Sequence, residues 1–471
     1  MTDALMDESG VTDGSVVFPR ISTGNPQADA ILCGGFPANS INIMMGQPGT
    51  GKTIFAEQLL FHNANPTRPL LYLTTLSEPM SKVVSYAQRL DFFDIGQVGA
   101  GILYDDLGAK LIADGPAALV PHLLESIKRL SPSIVVIDSF KAIHDIALST
   151  SEMRRLVSEL AGVVSAYDMT VFLLGEYTQG DIEQYPEFAI ADSIVQLERN
   201  TLGARDERYI RVLKLRGSGY SEGRHAFRIT SNGLAIFPRL VTPKFESYVP
   251  LLERTTTGID GLDEIMGGGV WRGSTTLVAG PTGSGKSTIG LQFALEAHRQ
   301  GEAVLFVNFQ ENPAQVQRMI RALGTDPEIA YATGFYHLYR SPVELQIDSV
   351  IVEIFDFIET ANVRRVVIDA VGDLSTAASD PHRLNDFLYS LVQHFVVRNV
   401  TTLLNLESAP GVTGKREEEQ RWSYMSDNVL VLERAEGVAG ERTIRVVKTR
   451  NSDHDPLPHR VEIRRDGVHV L

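Results

Sequence analysis

One eight-residue pattern occurs twice in this chain, and it constrains the fold more tightly than any other feature. Gly46-Gln47-Pro48-Gly49-Thr50-Gly51-Lys52-Thr53 and Gly280-Pro281-Thr282-Gly283-Ser284-Gly285-Lys286-Ser287 both fit G-x-x-x-x-G-K-[S/T]. Glycines let such a loop wrap its backbone N–H groups around a phosphate chain. The lysine reaches the outer phosphates, and the hydroxyl of Thr53 or Ser287 can ligate Mg²⁺. Each copy lies between an apolar strand-like run and an apolar helix-like run, a context that a chance glycine-rich turn lacks. The pattern therefore predicts a strand–loop–helix unit that binds ATP, present twice.

The duplication extends well beyond the loops. Lys52 and Lys286 are 234 residues apart, and the same spacing links Thr23-Gly24 to Thr257-Gly258, Asp29 to Asp263, Gly34-Gly35 to Gly268-Gly269 and Pro79 to Pro313. It also links Lys214 to Lys448 and Gly233 to Gly467. Two tandem domains are expected, residues 15–245 and 246–471, joined by a stretch bracketed by Pro243 and Pro250. Residues 1–14, acidic and polar, are expected to form a disordered tail.

Within the first copy, strands are predicted at 40–45, 70–74, 134–137 and 170–174, and helices at 54–63, 79–90, 116–130 and 151–167. That alternation predicts an α/β fold: a mostly parallel sheet flanked by helices. The last part changes to β-hairpin material, with strands at 194–197, 209–215, 226–230 and 234–237. A tight turn is expected at Asn232-Gly233. The second copy repeats the order with strands at 274–279, 304–308, 366–368, 400–404, 429–432 and 443–447. Its final hairpin, 461–463 and 468–470, is expected to turn at Asp466-Gly467, and no C-terminal extension is expected.

Composition narrows the function. Cys33 is the single cysteine, so an intramolecular disulfide or a cysteine metal cluster is excluded. No apolar run is long enough to span a membrane, and the start lacks the basic and apolar regions of a signal peptide, so a cytoplasmic protein is expected. The net charge of −15 argues against a broad nucleic-acid-binding surface.

A carboxylate ends a buried strand in each copy: Asp138 after Ile134–Ile137, and Asp369 after Val366–Ile368. At the carboxyl edge of a parallel sheet, such a group stands beside the phosphate loop and can hold Mg²⁺ with Thr53 or Ser287.

With these elements in place, the sequence resembles the KaiC-like branch of the RecA-type ATPases, in which two RecA-like P-loop domains are fused. Thr-Gly-x-x-x-x-Asp before Gly-Gly recurs at 23–35 and 257–269. Lys214-Leu215-Arg216-Gly217 looks like the family's K-L-R-G motif, and Lys448-Thr449-Arg450-Asn451 is an altered copy. Asp192-Ser193 and Asp427-Asn428 resemble the Asp that precedes the family's penultimate strands. The resemblance implies a homohexameric ring with ATP bound between neighbouring subunits. Lys214, Arg216, Lys448 and Arg450 would then reach phosphates held by the next subunit. It also implies a regulatory protein partner and serine/threonine autokinase activity.

Departures from the family qualify the expected chemistry. The family places two adjacent glutamates after the second strand, the first of which activates water. Here the stretches are Leu76-Ser77-Glu78-Pro79 and Gln310-Glu311-Asn312-Pro313. Leu76 can neither orient nor deprotonate water, and Gln310 can orient it without acting as a base. Each copy keeps one acid, Glu78 or Glu311, away from the usual base position. Slow hydrolysis is expected, with the second copy better equipped. Ser423 matches the family's phosphorylated serine, but Tyr424 replaces the adjacent threonine, so a two-site phosphorylation cycle of the clock type is not expected. Nor is the tail by which the family engages its clock partner expected. Two other functions compete with a signalling ATPase. One is a DNA repair or recombination ATPase, which shares this core; the other is a near-inactive scaffold whose ATP holds a ring together.

Overall fold

A computed structural model describes residues 19–76, 79–202, 205–377, 381–407, 422–434 and 442–471. The acidic 1–14 stretch and Glu78 lie outside the described residues. The chain divides into two compact units, Met1–Arg239 and Leu240–Leu471. Residues at 241–250 belong to the second unit: the Val241 carbonyl is 2.9 Å from His394 Nε2, and the Asn399 side chain donates to the Val249 carbonyl at 3.4 Å.

The first unit is built on a nine-stranded sheet. In spatial order the strands are Gly233–Phe237, His225–Thr230, Arg205–Leu215, Ser193–Leu202, Ile41–Gly46, Thr170–Gly175, Ile134–Asp138, Leu70–Thr74 and Ile102–Asp106. Strands from Ser193–Leu202 to Ile102–Asp106 run parallel to one another. The other three are added antiparallel. The second unit repeats this order with Gly467–Val470, His459–Arg464, Arg442–Thr449, Asn428–Arg434, Thr275–Gly280, Thr401–Glu407, Arg365–Asp369, Val304–Asn308 and Phe335–Tyr339. The expected two tandem RecA-like domains, each with a hairpin region at its end, are what forms.

Helices cover both faces of the central strands, which is why those strands read as unbroken apolar runs. Alternate residues serve opposite faces. In the first unit Ile43, Leu71, Leu73, Val135, Ile137 and Leu173 pack with helices Leu119–Leu130 and Thr150–Ala166. Met44, Leu70, Tyr72, Val136, Phe172 and Leu174 pack with Phe55, Leu59 and Leu60 of helix Lys52–Asn63, the helix that follows the phosphate loop.

Two details depart from the sequence reading. The edge strands Ile102–Asp106 and Phe335–Tyr339 were not anticipated, because each is only partly buried and lacks a strong apolar run. Both hairpins also turn one residue early. Thr230 pairs with Gly233 and Arg464 with Gly467, so the two-residue loops are Ser231-Asn232 and Arg465-Asp466. Each glycine instead opens the returning strand, pressed against a glutamine of the loop helix. A Cβ on Gly233 would lie 2.7 Å from Gln58 Oε1, and one on Gly467 2.4 Å from Gln292 Oε1.

Candidate nucleotide sites

Strand Ile41–Gly46 runs directly into the first phosphate loop, and strand Thr275–Gly280 into the second. Close packing demands Gly46, since a Cβ there would fall 2.2 Å from the Leu197 carbonyl oxygen. Gly51 and Gly285 take left-handed conformations and cap helices Lys52–Asn63 and Lys286–Arg299 without a side-chain acceptor. The first amides of each helix are thus left for an anion, which the helix dipole also favours. Lys52 Nζ donates to the Gly46 and Gln47 carbonyls at 2.9 and 3.1 Å. Lys286 Nζ makes the matching bonds to Gly280 and Pro281 at 2.8 and 2.9 Å. Burial lowers both lysine pKa values, while Glu176 and Asp138 oppose the shift at Lys52, and Glu407 and Asp369 oppose it at Lys286. Inside the loops Thr50 Oγ1 donates to the Gln47 carbonyl at 2.8 Å, whereas the buried Ser284 Oγ has no partner among the described residues.

The strand-end carboxylates stand where the sequence placed them, but their surroundings differ. Asp138 Oδ2 accepts from Thr53 Oγ1 at 3.0 Å and from the Tyr72 hydroxyl at 2.7 Å. Asp369 Oδ1 accepts from Asn405 Nδ2 at 2.9 Å. Its Oδ2 is buried without a partner among the described residues. Burial raises the Asp369 pKa, with Asn405 and Ser287 favouring the charged form. A hydroxyl beside a carboxylate is a hard-oxygen donor set that suits Mg²⁺, and a cation would also satisfy the orphaned Asp369 oxygen.

Sequence reasoning missed Tyr72, Asn308 and Asn405. In the second unit Asn308, Asp369 and Asn405 lie in direct register across three adjacent strands; in the first, the same positions hold Thr74, Asp138 and Leu174. A signal was there for two of them, since Asn308 ends the predicted strand 304–308 and Asn405 directly follows 400–404, but only the register brings them together with Asp369.

The water-handling position also differs between the units. Leu76 packs against the hydrophobic core of the first unit. Gln310 Nε2 donates to both Asp373 oxygens at 3.1 Å. Glu311 accepts from Asn308 Nδ2 through its backbone oxygen at 2.8 Å and through Oε2 at 3.1 Å.

Lys214, Arg216, Lys448 and Arg450 are not near their own unit's phosphate loop. Arg216 pairs with Asp192, whose carboxylate accepts from the Ile41 N–H at the opposite end of the loop strand. Arg450 pairs with Asp427, which holds the Thr275 N–H in the same way. Lys448 Nζ donates to the Ser423 and Ser426 carbonyls, both at 2.7 Å, and Arg450 donates to the Tyr424 carbonyl at 3.1 Å. Ser423 is thus joined to this basic edge and not to its own loop. No helix among the described residues is long and apolar enough to cross a membrane.

A parallel sheet whose central strand feeds a glycine-rich loop and helix, with an acid ending the next strand but one, defines a RecA-like P-loop ATPase. The family model described as "ATPase: KaiC" matches residues 21–241 and again 255–471. The chain belongs to this KaiC ATPase family, and so to a family of nucleotide-binding proteins. Among curated relatives, the circadian clock oscillator protein KaiC of Picosynechococcus sp. is 28% identical, over 91% of this chain and 84% of its own length. KaiC of Rippkaea orientalis is 26% identical, over 99% of this chain and 92% of its own. The circadian clock protein KaiC2 of Synechocystis sp. is 24% identical, over 98% and 83%.

Proposed function

We propose that this chain is an ATP-binding, slowly hydrolysing ring ATPase whose two units act as nucleotide switches. The observation that carries the proposal is a contrast within each site. Binding is supported by a lysine seated on two loop carbonyls in each unit and by a strand-end carboxylate at the loop helix, while Leu76 or Gln310 takes the position at which the family resemblance expects a base. The loop amides with Lys52 or Lys286 would hold the phosphates of ATP. Mg²⁺, when bound, neutralises phosphate charge; Thr53 with Asp138, and Ser287 with Asp369, would hold it. In the second unit Gln310 would orient water and Glu311 would receive its proton. Leu76 can do neither, so turnover belongs mainly to the second unit.

The basic edge supports a ring. Arg216 sits level with Ile41, five residues from Gly46, which is roughly 17 Å of strand at ~3.3 Å per residue. Lys214, Arg216, Lys448 and Arg450 would therefore serve phosphates held by the next subunit of a homohexamer, where cations from a neighbour offset γ-phosphate charge. Ser423, fixed to that edge, is the candidate acceptor for autophosphorylation by the adjoining subunit. The relatives' names, circadian clock proteins, suggest a regulatory role; a protein partner and a cytoplasmic location belong to the same proposal. Tyr424 in place of a second acceptor argues against a two-site cycle.

Measuring ATP turnover alongside nucleotide affinity tests the reading. Tight Mg-ATP binding is expected, with a kcat at least about 100-fold below the ~10 s⁻¹ of a median enzyme. Turnover at that median rate would overturn it, as would failure of Lys52→Ala and Lys286→Ala to weaken binding. Phosphopeptide mapping after incubation with Mg-ATP decides Ser423: an unmodified peptide ends the autokinase proposal.

A further inference from the structure

We infer that His337 and Asn308 are positioning residues that aim the Glu311 carboxylate in the second unit. The inference rests on the reading that this unit hydrolyses ATP through Glu311. Asn308 ends strand Val304–Asn308 and is fully buried. A buried primary amide needs partners for its carbonyl and its N–H groups. Its Nδ2 lies 2.8 Å from the Glu311 backbone oxygen and 3.1 Å from Glu311 Oε2. Its Oδ1 lies 2.8 Å from His337 Nε2. Reversing the amide would set a carbonyl against two oxygens of Glu311, so the orientation is fixed, and Nε2 of His337 must carry the proton. His337 has its pKa lowered to about 4 by burial, which keeps the ring neutral, and the bond to Asn308 Oδ1 selects the Nε2–H tautomer.

The relay ends beside the metal-site carboxylate. Asn308 and Asp369 are directly paired across adjacent strands. Asn308 therefore joins the strand position beside Asp369 to the Glu311 side chain, which its Nδ2 holds at 3.1 Å. Oε2 of Glu311 is tethered, and no hydrogen bond among the described residues engages Oε1, which leaves that oxygen to receive a proton. Among the described residues the first unit has no such relay: Thr74 takes the place of Asn308, and Tyr104, at the position of His337, bonds to Glu57 instead.

Four single variants and one double variant of the full chain test the relay: Glu311→Gln, His337→Phe, His337→Gln, Asn308→Thr and His337→Phe/Glu311→Gln. His337→Phe should lower kcat about tenfold, below the ~10²–10⁴-fold of a full acid–base contribution, because the base itself is retained. Affinity for a non-hydrolysable ATP analogue should be unchanged. His337→Gln, which can still donate to Asn308 Oδ1, should restore most of the rate, and Asn308→Thr, the first unit's own residue, should reproduce the loss. The double variant should be no slower than Glu311→Gln, because the relay acts only through that side chain. Without nucleotide, ¹⁵N-histidine NMR should find His337 neutral and protonated on Nε2. Unchanged turnover in His337→Phe, additive losses in the double variant, or an Nδ1-protonated ring would each overturn the inference. If Glu311→Gln leaves turnover intact, the hydrolysis reading fails instead, and the tautomer still decides the relay geometry.

Discussion

Glu57 lies one turn beyond Thr53 on the first unit's loop helix, where the second unit has Leu291. It is buried; Oε2 accepts from the Tyr104 hydroxyl at 2.8 Å, and Oε1 has no partner among the described residues. Burial pushes its pKa up to about 8, with the Tyr104 bond working against the shift and the Asp138 charge adding to it. The folded state therefore holds this proton at pH values where the unfolded chain, near 4.5, has lost it. The sign follows: the contribution is complete below about pH 4.5 and is lost as pH rises towards about 8. Denaturant unfolding followed across that range should find the first unit weakening as pH rises, and Glu57→Gln should flatten the dependence. An equally steep dependence in the variant would refute this. The phosphate loops were legible in the sequence because every chemical part lies within eight consecutive residues. Glu57, Asn308 and His337 were not, because each acquires its partner from a strand whose register the sequence does not state.

The helices behind the loops also tie their units together. Gln292 accepts from the Val468 N–H at 2.8 Å and donates to the Gly258 carbonyl at 2.8 Å, so one side chain links the last hairpin to the start of its unit. Gln58 makes the same two links in the first unit, to Leu234 and Gly24. Gly467→Ala would set a methyl group against Gln292 at φ 132°. We expect it to destabilise the second unit by at least about 1–2 kcal/mol, the cost of an unsuitable backbone conformation before any steric displacement is added. Thermal unfolding would check this; a melting curve like that of the wild type would sink it. The sequence carried Asn232-Gly233 and Asp466-Gly467 as turn signals, and the hairpins exist, but the glycines answer to the helix glutamine and not to the turn centre. The buried parallel strands were legible, because burial on both faces writes long apolar runs, and so were the helices at 54–63, 79–90, 116–130 and 151–167; the short helix Gly108–Asp114 was not. The edge strands were not, since one side meets solvent.

At the scale of the molecule, the separation between each unit's loop and its own basic edge makes subunit mixing informative. Lys448→Ala/Arg450→Ala chains should bind ATP and turn it over poorly, and Lys286→Ala chains should fail through the second unit's loop. Mixed, the two should regain part of the wild-type rate, because some interfaces would join an intact loop to an intact edge. Absence of recovery in assemblies whose mixing is confirmed by mass would refute a role in trans. The charge of −15 leads to a further expectation: single-stranded DNA should leave turnover unchanged, and strong stimulation would favour a DNA-directed ATPase.

The common strand order of the two units has a practical consequence. Thr74–Asp138–Leu174 and Asn308–Asp369–Asn405 occupy equivalent rungs of equivalent sheets. The chain is thus a matched pair of instruments, each the other's control. Exchanging rungs reciprocally, one at a time, would separate what a residue contributes from what its scaffold contributes, with the polypeptide, the ligand and the solution held constant.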